Sequence, residues 1–373
     1  MAKGQLSGHS GNIIRKLFRF ILILSLTLTF YVAVTRIQQD NTWLSRQHVT
    51  ILGEKPANCS VGRPCEYEGV VHFRVIVLTY NRPESLGKCL GFLEKVETMG
   101  DTMRIEIWID RSEHHGHVVD NATVKIAEAF RQYWSHPERG RSCAVHIRER
   151  FAGLPGQWWD TWRPRLGSNE IGLILEDDID VAPLAYKWLK AIHAKYDHRN
   201  DISGYTLQMQ NVNIVAGRKR PLFAPKTEQV FMYPVLGTWG YSPHPRSWRN
   251  FQDWVHAVRD SPGNKFRPFV PGLDQINRWY NPRTDTLQSM WQIYYSYVND
   301  LFCVYCNLNK FTGKENVVLA WNRQEDGLHH KGKSTNSTNN LLAYWNETFV
   351  DFPDEIIQFE NNGTLRNNKF DLR

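Results

Sequence analysis

The stretch LILEDDIDV, at residues 173–181, decides how the rest of the chain is interpreted. Its aliphatic start predicts a buried β-strand, and three consecutive acids, Glu176, Asp177 and Asp178, follow that start. Ionised carboxylates leave water only at high cost unless another group pairs with them. The acids therefore either face solvent at an exposed strand end or bind a cation. Among cations, Mg²⁺ and Mn²⁺ favour carboxylate and phosphate oxygens.

The residues after the acids add a second signal. Val181-Ala182-Pro183 follows directly, and then Leu184, Trp188, Leu189 and Ile192 recur at helical spacing. The order of apolar strand, Glu-Asp-Asp, Val-Ala-Pro and aromatic-rich helix resembles the metal-binding motif of GT-A glycosyltransferases. In particular, it resembles the motif of the β-1,2-N-acetylglucosaminyltransferase I group.

This resemblance implies both a fold and a chemistry. The fold is α/β and Rossmann-like, a GT-A domain with a mostly parallel open sheet and flanking helices. The expected activity is transfer of a sugar from a UDP-sugar, UDP-GlcNAc by analogy, to a glycan or glycoprotein acceptor. Asp178 would bind Mn²⁺ or another divalent cation, while Asp177 and Glu176 would hold ribose or sugar hydroxyls.

A second strand end precedes the acids in the chain. The apolar run at residues 73–78 predicts a buried strand, and Pro83 is suited to the first turn of a following helix. In the resembled families this strand end contacts the uracil and the ribose. The expected contacts here are Thr79, Tyr80, Asn81 and Arg82. The alternative is an ordinary turn between a strand and a helix.

Two further segments are candidates for the same donor site. A strand at residues 105–109 ends in Asp110, and an acid in this place accepts the uracil N3–H in the resembled families. Its alternative role is a helix or turn cap. Beyond a further predicted strand, Gly153 and Gly156 interrupt an aromatic segment at residues 151–159 and permit close approach of the backbone to a ligand.

The alternation of strands and helices predicts an open, mostly parallel sheet. Ligands of such sheets bind outside the carboxyl ends of the strands. Asp110, Gly153 and Asp178 are far apart in sequence, but this fold would bring them to one edge. That expected convergence is the main sequence argument for a functional site.

The acceptor side of the site is less clear. Transfer with inversion needs a general base, and the resembled enzymes place an Asp at the start of a helix. Here the helix is predicted at residues 286–298, and Met290 or Trp291 stands at that position. Asp285 is our preferred candidate base and Asp274 the second, although Asp285 could be a plain helix cap. A retaining reaction, or a base elsewhere, stays open.

A late segment completes the predicted site. The apolar run at residues 317–323 is followed by QEDGLHHKGK, which resembles the GT-A loop that closes over the donor. His329 or His330 could serve as a metal ligand, but adjacent residues of an extended chain point differently, so only one of them can. Lys331 could hold the diphosphate. The alternative is a loop that binds nothing.

The N-terminal part predicts a membrane anchor. Residues 17–35 are almost wholly apolar and just long enough to span a bilayer, and basic residues concentrate on their N-terminal side. We expect a single-pass type II protein of the Golgi membrane with a lumenal catalytic domain; a cleaved signal peptide is the alternative. The predicted segments are a cytosolic tail (1–16), the anchor (17–35), a stem (36–70), the GT-A domain (71–335) and a C-terminal tail (336–373).

Sequons and cysteines are compatible with a lumenal domain. N-x-S/T tripeptides occur at Asn58, Asn121, Asn336, Asn346 and Asn362. The six cysteines allow three disulfides whose pairing stays open, although Cys59 and Cys65 flank a turn and could close a short loop. Cys303 and Cys306 could be read as a redox or zinc pair, but no second CxxC accompanies them.

Composition narrows the class of ligand. The net charge of +7 suits an anionic ligand such as a nucleotide diphosphate. No basic stripe interleaves with aromatic residues, so we expect no nucleic-acid partner. The rival interpretations are a catalytically inactive GT-A-fold protein that binds carbohydrate or nucleotide, and a nucleotide-sugar hydrolase.

Overall fold

The structure is a computed structural model. It describes residues 59–114, 117–209, 212–215, 218–222, 224–225, 228–280, 286–308, 317–325, 341–345 and 351–366. All of these belong to the unit Lys55–Arg373. No helix within these ranges is long and apolar enough to cross a bilayer. The anchor predicted at residues 17–35 lies outside the described residues, as do Asp285, His329, His330 and Lys331.

The described elements alternate along the first half of the chain as predicted. The strands are β1 (Phe73–Thr79), β2 (Met103–Ile109), β3 (Arg141–Ile147), β4 (Ile171–Glu176), β5 (Ile179–Val181), β6 (Ile202–Thr206), β7 (Val212–Val215), β8 (Arg218–Pro221), β9 (Val230–Tyr233), β10 (Tyr241–Pro243), β11 (Phe302–Cys306) and β12 (Ala320–Asn322). The α-helices are α1 (Pro83–Leu93), α2 (Asn121–Trp134), α3 (Gly153–Asp160), α4 (Ala185–Tyr196), α5 (Pro245–Arg259), α6 (Asp274–Trp279) and α7 (Gln288–Val298).

One large sheet organises these elements. In the described part of the chain its order is β3-β2-β1-β4-β10-β6-β11-β9. β1 pairs in parallel with β2 and β4, β2 with β3, and β6 with β11. β10 runs antiparallel between β4 and β6, and β9 runs antiparallel to β11. The prediction of an α/β architecture with a mostly parallel sheet is confirmed.

Helices cover both faces of the sheet, which explains the unbroken apolar runs of its strands. In β1, Phe73, Val75 and Val77 belong to one core cluster, while Ile76 and Leu78 belong to the other. The first cluster also holds the apolar faces of α1, α2 and α4. The second holds those of α3, α5 and α7, with Trp158, Trp159, Trp248, Phe251 and Trp291.

A separate two-stranded sheet brings the late chain to the acids. β5 directly follows Asp178 and pairs antiparallel with β12, so that Asp180 lies opposite Trp321. Arg323 then donates its backbone N–H to the carbonyl of Asp178 at 2.9 Å. The chain at β12 and Arg323 is therefore anchored beside Glu176, Asp177 and Asp178, which we call the acidic loop.

The structure shows which of the cysteines considered above form a disulfide and which are free thiols. Cys59 and Cys65 form the short-loop disulfide that the sequence suggested. Cys303 and Cys306 are buried free thiols in β11 and belong to opposite core clusters. Because their side chains lie on opposite faces of the sheet, they cannot pair or share a metal ion.

Candidate active site

The carboxyl ends of β2, β1 and β4 lie side by side. Asp110, which follows β2, donates its backbone N–H to the carbonyl of Thr79 at 3.0 Å. Asp177, which follows β4, donates its N–H to the carbonyl of Leu78 at 3.1 Å. Parallel pairing with a matched register thus places Asp110 and the acidic loop on either side of the end of β1.

Asp177 is fully buried and its carboxylate is held from two sides. Thr79 donates its hydroxyl to Oδ2 at 2.6 Å, and the Arg82 guanidinium forms an ion pair with Oδ1. Ser85, in the first turn of α1, donates its hydroxyl to the Asp177 backbone carbonyl at 2.9 Å. Asp177 therefore fixes the acidic loop to the turn between β1 and α1.

Asp178 has fewer partners. It is 4% exposed, and its Oδ1 is buried without a hydrogen-bond partner among the described residues. Its Oδ2 lies 3.6 Å from Nη1 of Arg82, which is an ion-pair distance but longer than a hydrogen bond. A buried carboxylate oxygen without a partner costs free energy, so this oxygen is suited to accept a cation or another donor.

Burial acts on the protonation of all three acids. It raises the pKa of Glu176 to about 7, with the neighbouring Asp178 charge adding to the effect. Burial likewise raises the pKa of Asp177 to about 6, against the opposing influence of Arg82 and Thr79. Burial also raises the pKa of Asp178, again against Arg82. Burial thus disfavours the charged forms of these acids, and the Arg82 guanidinium only partly offsets this effect.

The turn at residues 79–82 positions Arg82. Asn81 has a φ of 50°, in the left-handed region that Asn tolerates, and this residue redirects the chain from β1 into α1. Arg82 then stands immediately before α1 with its guanidinium against the acids. Tyr80 is 44% exposed, so its ring is available to a ligand at the rim.

Arg323 connects the late segment to the same loop. It is 2% exposed, forms an ion pair with Asp180, and donates to the carbonyl oxygen of Asp177 at 2.8 Å and to that of Ser85 at 3.0 Å. Its Nε donates to Glu325 at 2.7 Å. None of the roles expected from the sequence fell on Asp180, Arg323 or Glu325. The signal that could have revealed this contact is Asp180 itself, a charged residue between the apolar Ile179 and Val181, which indicates that its carboxylate has a buried partner.

Asp110 forms the capping hydrogen bonds that were the alternative to a ligand contact. Its carboxylate accepts backbone N–H groups from Arg111 at 2.8 Å, Ala152 at 2.9 Å and Gly153 at 2.9 Å. It therefore caps the first turn of α3, where the sequence had suggested a ligand-binding loop. Burial raises the pKa of Asp110, and the backbone hydrogen bonds oppose that rise.

The two glycines of this segment are explained by the helix. Gly153 has a φ of 65°, and its N–H is directed to Asp110. A Cβ at Gly156 would lie 3.0 Å from the Cβ of Ala152, which is tighter than ordinary packing. Both glycines therefore have structural reasons for their presence beside the acidic loop.

The described residues that the sequence suggested for an acceptor side lie in α6, in α7 and before β10. Met290 and Trp291 are both buried in the core, at 0% and 1% exposure. Asp274 is exposed in the first turn of α6. Trp239 is half-buried, and its ring centroid lies 6.1 Å from that of Trp321, the residue opposite Asp180.

The acidic loop meets the requirements of a hard divalent cation in part. Within the described ranges, no three His, Cys, Asp or Glu side chains converge as a ready metal site. Mg²⁺ sites in phosphate-transferring enzymes use one or two carboxylates and complete the shell with water and substrate phosphate. The unpartnered Asp178 Oδ1 fits such a site, and Asp178 is the residue that would hold the cation.

Comparison with solved structures gives distant matches. S. aureus TarS 1-349 in complex with UDP aligns with a TM-score of 0.36 and 16% identity, over 63% of this chain and 60% of that chain. Mannosyltransferase PcManGT from Pyrobaculum calidifontis in complex with GDP-Man and Mn²⁺ aligns with a TM-score of 0.32 and 12% identity, over 74% of this chain and 81% of that chain. No family model and no curated protein matches this chain. Similarity this distant transfers neither activity nor ligand.

Proposed function

We propose that this chain is a cation-dependent glycosyltransferase of the GT-A type that uses a nucleotide-sugar donor. The observation that carries the proposal is the convergence at the end of β1, where a buried, incompletely paired Asp178 lies beside Asp177 and Arg82. A solvent-exposed strand end would not bury these carboxylates. A cation held there would neutralise charge on the departing nucleoside diphosphate.

Each residue of the candidate site has a proposed role. Asp178 would hold the cation, while Asp177, already oriented by the Thr79 hydroxyl, would keep the loop in shape. Tyr80 and Asn81 would contact the base and ribose from the rim, and Glu176 a hydroxyl of the donor. Since the Asp110 carboxylate is engaged by three backbone N–H groups, its contact with the base would use its remaining lone pairs.

The finer assignments are proposals by resemblance. We propose UDP-GlcNAc as the donor, a glycan or glycoprotein as the acceptor, and inversion as the outcome. His329 or His330 would complete the metal shell and Lys331 would contact the diphosphate. Asp285 stays the preferred base, because exposed Asp274 has no observed tie to the acidic loop that would favour it.

Ligand binding and turnover test the proposal. Full-length protein in detergent is titrated with UDP, GDP and their sugars, with and without Mn²⁺, and nucleotide release is measured. We expect cation-dependent UDP binding. Asp178→Asn removes the proposed carboxylate ligand and should weaken UDP binding by about tenfold or more, which corresponds to about 1.4 kcal/mol or more. The proposal would be refuted if UDP affinity were the same with and without Mn²⁺ and were unchanged in Asp178→Asn.

One observation favours a second candidate, an inactive nucleotide-sugar-binding protein. Helix α7 carries buried Met290 and Trp291 where the resembled enzymes carry an Asp base. Such a protein would bind UDP and Mn²⁺ yet release no UDP from any donor with any acceptor. Turnover of the wild type separates the two candidates. In an active enzyme we then expect Asp285→Asn to lower turnover while leaving UDP affinity unchanged.

We also propose a type II orientation in the Golgi membrane through residues 17–35, which would leave the α/β domain in the lumen. Fluorescence microscopy with organelle markers tests the compartment. Removing residues 1–36 and finding the same membrane-bound fraction would contradict the anchor.

A further inference from the structure

We propose that Arg82 competes with the divalent cation for the acidic loop, and that a nucleotide diphosphate relieves this competition, so that cation and nucleotide bind cooperatively. This inference deepens the proposed function and rests on it. It concerns the Arg82 guanidinium, which lies against Asp177 and against Asp178, the carboxylate proposed to hold the cation.

The geometry makes Arg82 the counter-ion of both acids. One terminal nitrogen pairs with Asp177 Oδ1, and the other lies 3.6 Å from Asp178 Oδ2. The Asp178 Oδ1 beside this pair is buried without a hydrogen-bond partner among the described residues. A cation bound to that carboxylate would therefore stand within a few ångströms of a fixed positive charge, and the two would repel each other.

The other nearby cations are already compensated. Arg323 pairs with Asp180 and with Glu325, and Lys88 lies 3.4 Å from the same Glu325. Arg82 differs, since one of its two partners is Asp178, the carboxylate proposed to hold the cation. Its side chain is 25% exposed, so it has an open side toward which it can turn. A diphosphate arriving there supplies a bidentate anionic partner that suits a guanidinium.

The consequence is reciprocal coupling between two ligands. Without a nucleotide, the cation must displace or tolerate Arg82 and binds weakly. With a diphosphate present, Arg82 gains a new partner, and the Asp178 carboxylate becomes free to bind the cation. Because linkage is reciprocal, the cation raises nucleotide affinity by the same factor as the nucleotide raises cation affinity.

Direct measurement of Mn²⁺ binding tests this coupling without reliance on turnover. Free Mn²⁺ is followed by electron paramagnetic resonance in titrations of full-length protein, with and without saturating UDP. The variants are Arg82→Ala and Arg82→Gln, which remove the charge, and Arg82→Lys, which keeps it. Arg267→Ala, at an exposed arginine outside the site, is the matched control. Thermal unfolding of each variant checks that it folds.

We expect the wild type and Arg267→Ala to bind Mn²⁺ weakly alone and at least about tenfold more tightly with UDP, a typical size for coupling between sites. Arg82→Ala and Arg82→Gln should bind Mn²⁺ alone more tightly than the wild type, and UDP should then improve Mn²⁺ affinity much less. Arg82→Lys should retain most of the coupling.

The failures are distinguishable. If the wild type binds UDP and Mn²⁺ but neither charge-removing variant binds Mn²⁺ alone more tightly, the competition is wrong and the proposed function stands. If the wild type binds neither ligand, the proposed function fails and this inference fails with it. Should one charge-removing variant not fold, the other decides the question.

Discussion

At the scale of single residues, the most informative contact is the buried ion pair between Asp180 and Arg323. Both residues are at most 2% exposed, so neither charge is stabilised by water. Breaking a buried pair from one side leaves an uncompensated charge and is strongly destabilising. The same arginine also donates to Asp177 and Ser85 carbonyls, so its loss would loosen the acidic loop as well.

We therefore expect Arg323→Met to lower the free energy of unfolding by about 3–5 kcal/mol. Replacing both partners, with Arg323→Met and Asp180→Leu together, should recover a large part of that loss, because no buried charge is then left alone. Urea unfolding of the two variants and the wild type measures the difference. Equal destabilisation of single and double variants would contradict the ion-pair explanation.

His256 gives a pH-dependent prediction. Burial lowers its pKa, but ion pairs with Asp160 at 2.9 Å and Asp260 at 2.8 Å outweigh burial and raise the pKa to about 9 from 6.5. Because the folded-state value is the higher one, its stabilisation is complete below pH 6.5 and is lost as the pH rises through about 9.

The expected loss is about 1–3 kcal/mol, after a discount for solvent screening of a partly exposed group. It is measured as the difference in unfolding free energy between wild type and His256→Gln across that pH range. Groups that titrate equally in both proteins cancel. A difference that stays constant with pH would show that folding does not raise the pKa of His256.

The sequence anticipated some of these residues and not others. Asp177, Asp178 and Arg82 stand out because they end or follow apolar runs, and the structure brings them together. Asp180 and Arg323 lie 143 positions apart in the chain, and the sequence around either residue does not indicate that the other is its partner. Pairing of that kind depends on the β5–β12 register, which only the folded chain fixes.

At the scale of elements, strands and helices with strong periodicity were predictable, and the segment around Gly153 was not. Gly153 and Gly156 suggested a ligand-binding loop within residues 151–159, yet the chain forms α3 from Gly153. Its first turn depends on the Asp110 carboxylate, which comes from the end of β2. A cap supplied across the sheet outweighs the low helix propensity of this sequence.

Replacing two glycines of regular elements by alanine is expected to have opposite effects on stability. A Cβ at Gly172, in β4, would lie 2.4–2.6 Å from the indole of Trp162, whereas a Cβ at Gly91, in α1, would meet nothing within 4 Å. We expect Gly172→Ala to destabilise the fold by about 1–3 kcal/mol through overpacking. Gly91→Ala should instead stabilise it by about 0.5–1 kcal/mol. Chemical denaturation compares the two, and tolerance of Gly172→Ala would contradict the packing.

At the scale of the whole molecule, the parallel arrangement of β1 to β4 was predictable because helical patterns follow β1, β2 and β4. The strands beyond β4 were not, since β10 inserts between β4 and β6 although it follows both in the chain. β10 can insert there only because Gly204 in β6 has no side chain. A Cβ at Gly204 would lie 2.5 Å from the Tyr241 hydroxyl of β10. No sequence pattern encodes such a contact.

The proposed lumenal orientation can be tested at Asn362. This residue is exposed in a turn, and its side-chain oxygen accepts from the Thr364 hydroxyl at 2.7 Å and from the Thr364 backbone N–H at 2.9 Å. In mammalian cells we expect a glycosidase-sensitive glycan there, which Asn362→Gln and Thr364→Ala both remove. Full-length protein without glycan on any of its sequons would contradict entry into the secretory pathway.

The pairing of β5 with β12 also has a consequence for biosynthesis. The ribosome delivers the carboxylates long before it delivers Arg323, whose backbone and side chain close the loop around them. Until then a nascent chain carries an incomplete cluster of negative charge with no late strand to shape it. The acidic loop can therefore reach its folded arrangement only after Arg323 has been synthesised, and a chain that stops short of residue 323 would leave it incomplete.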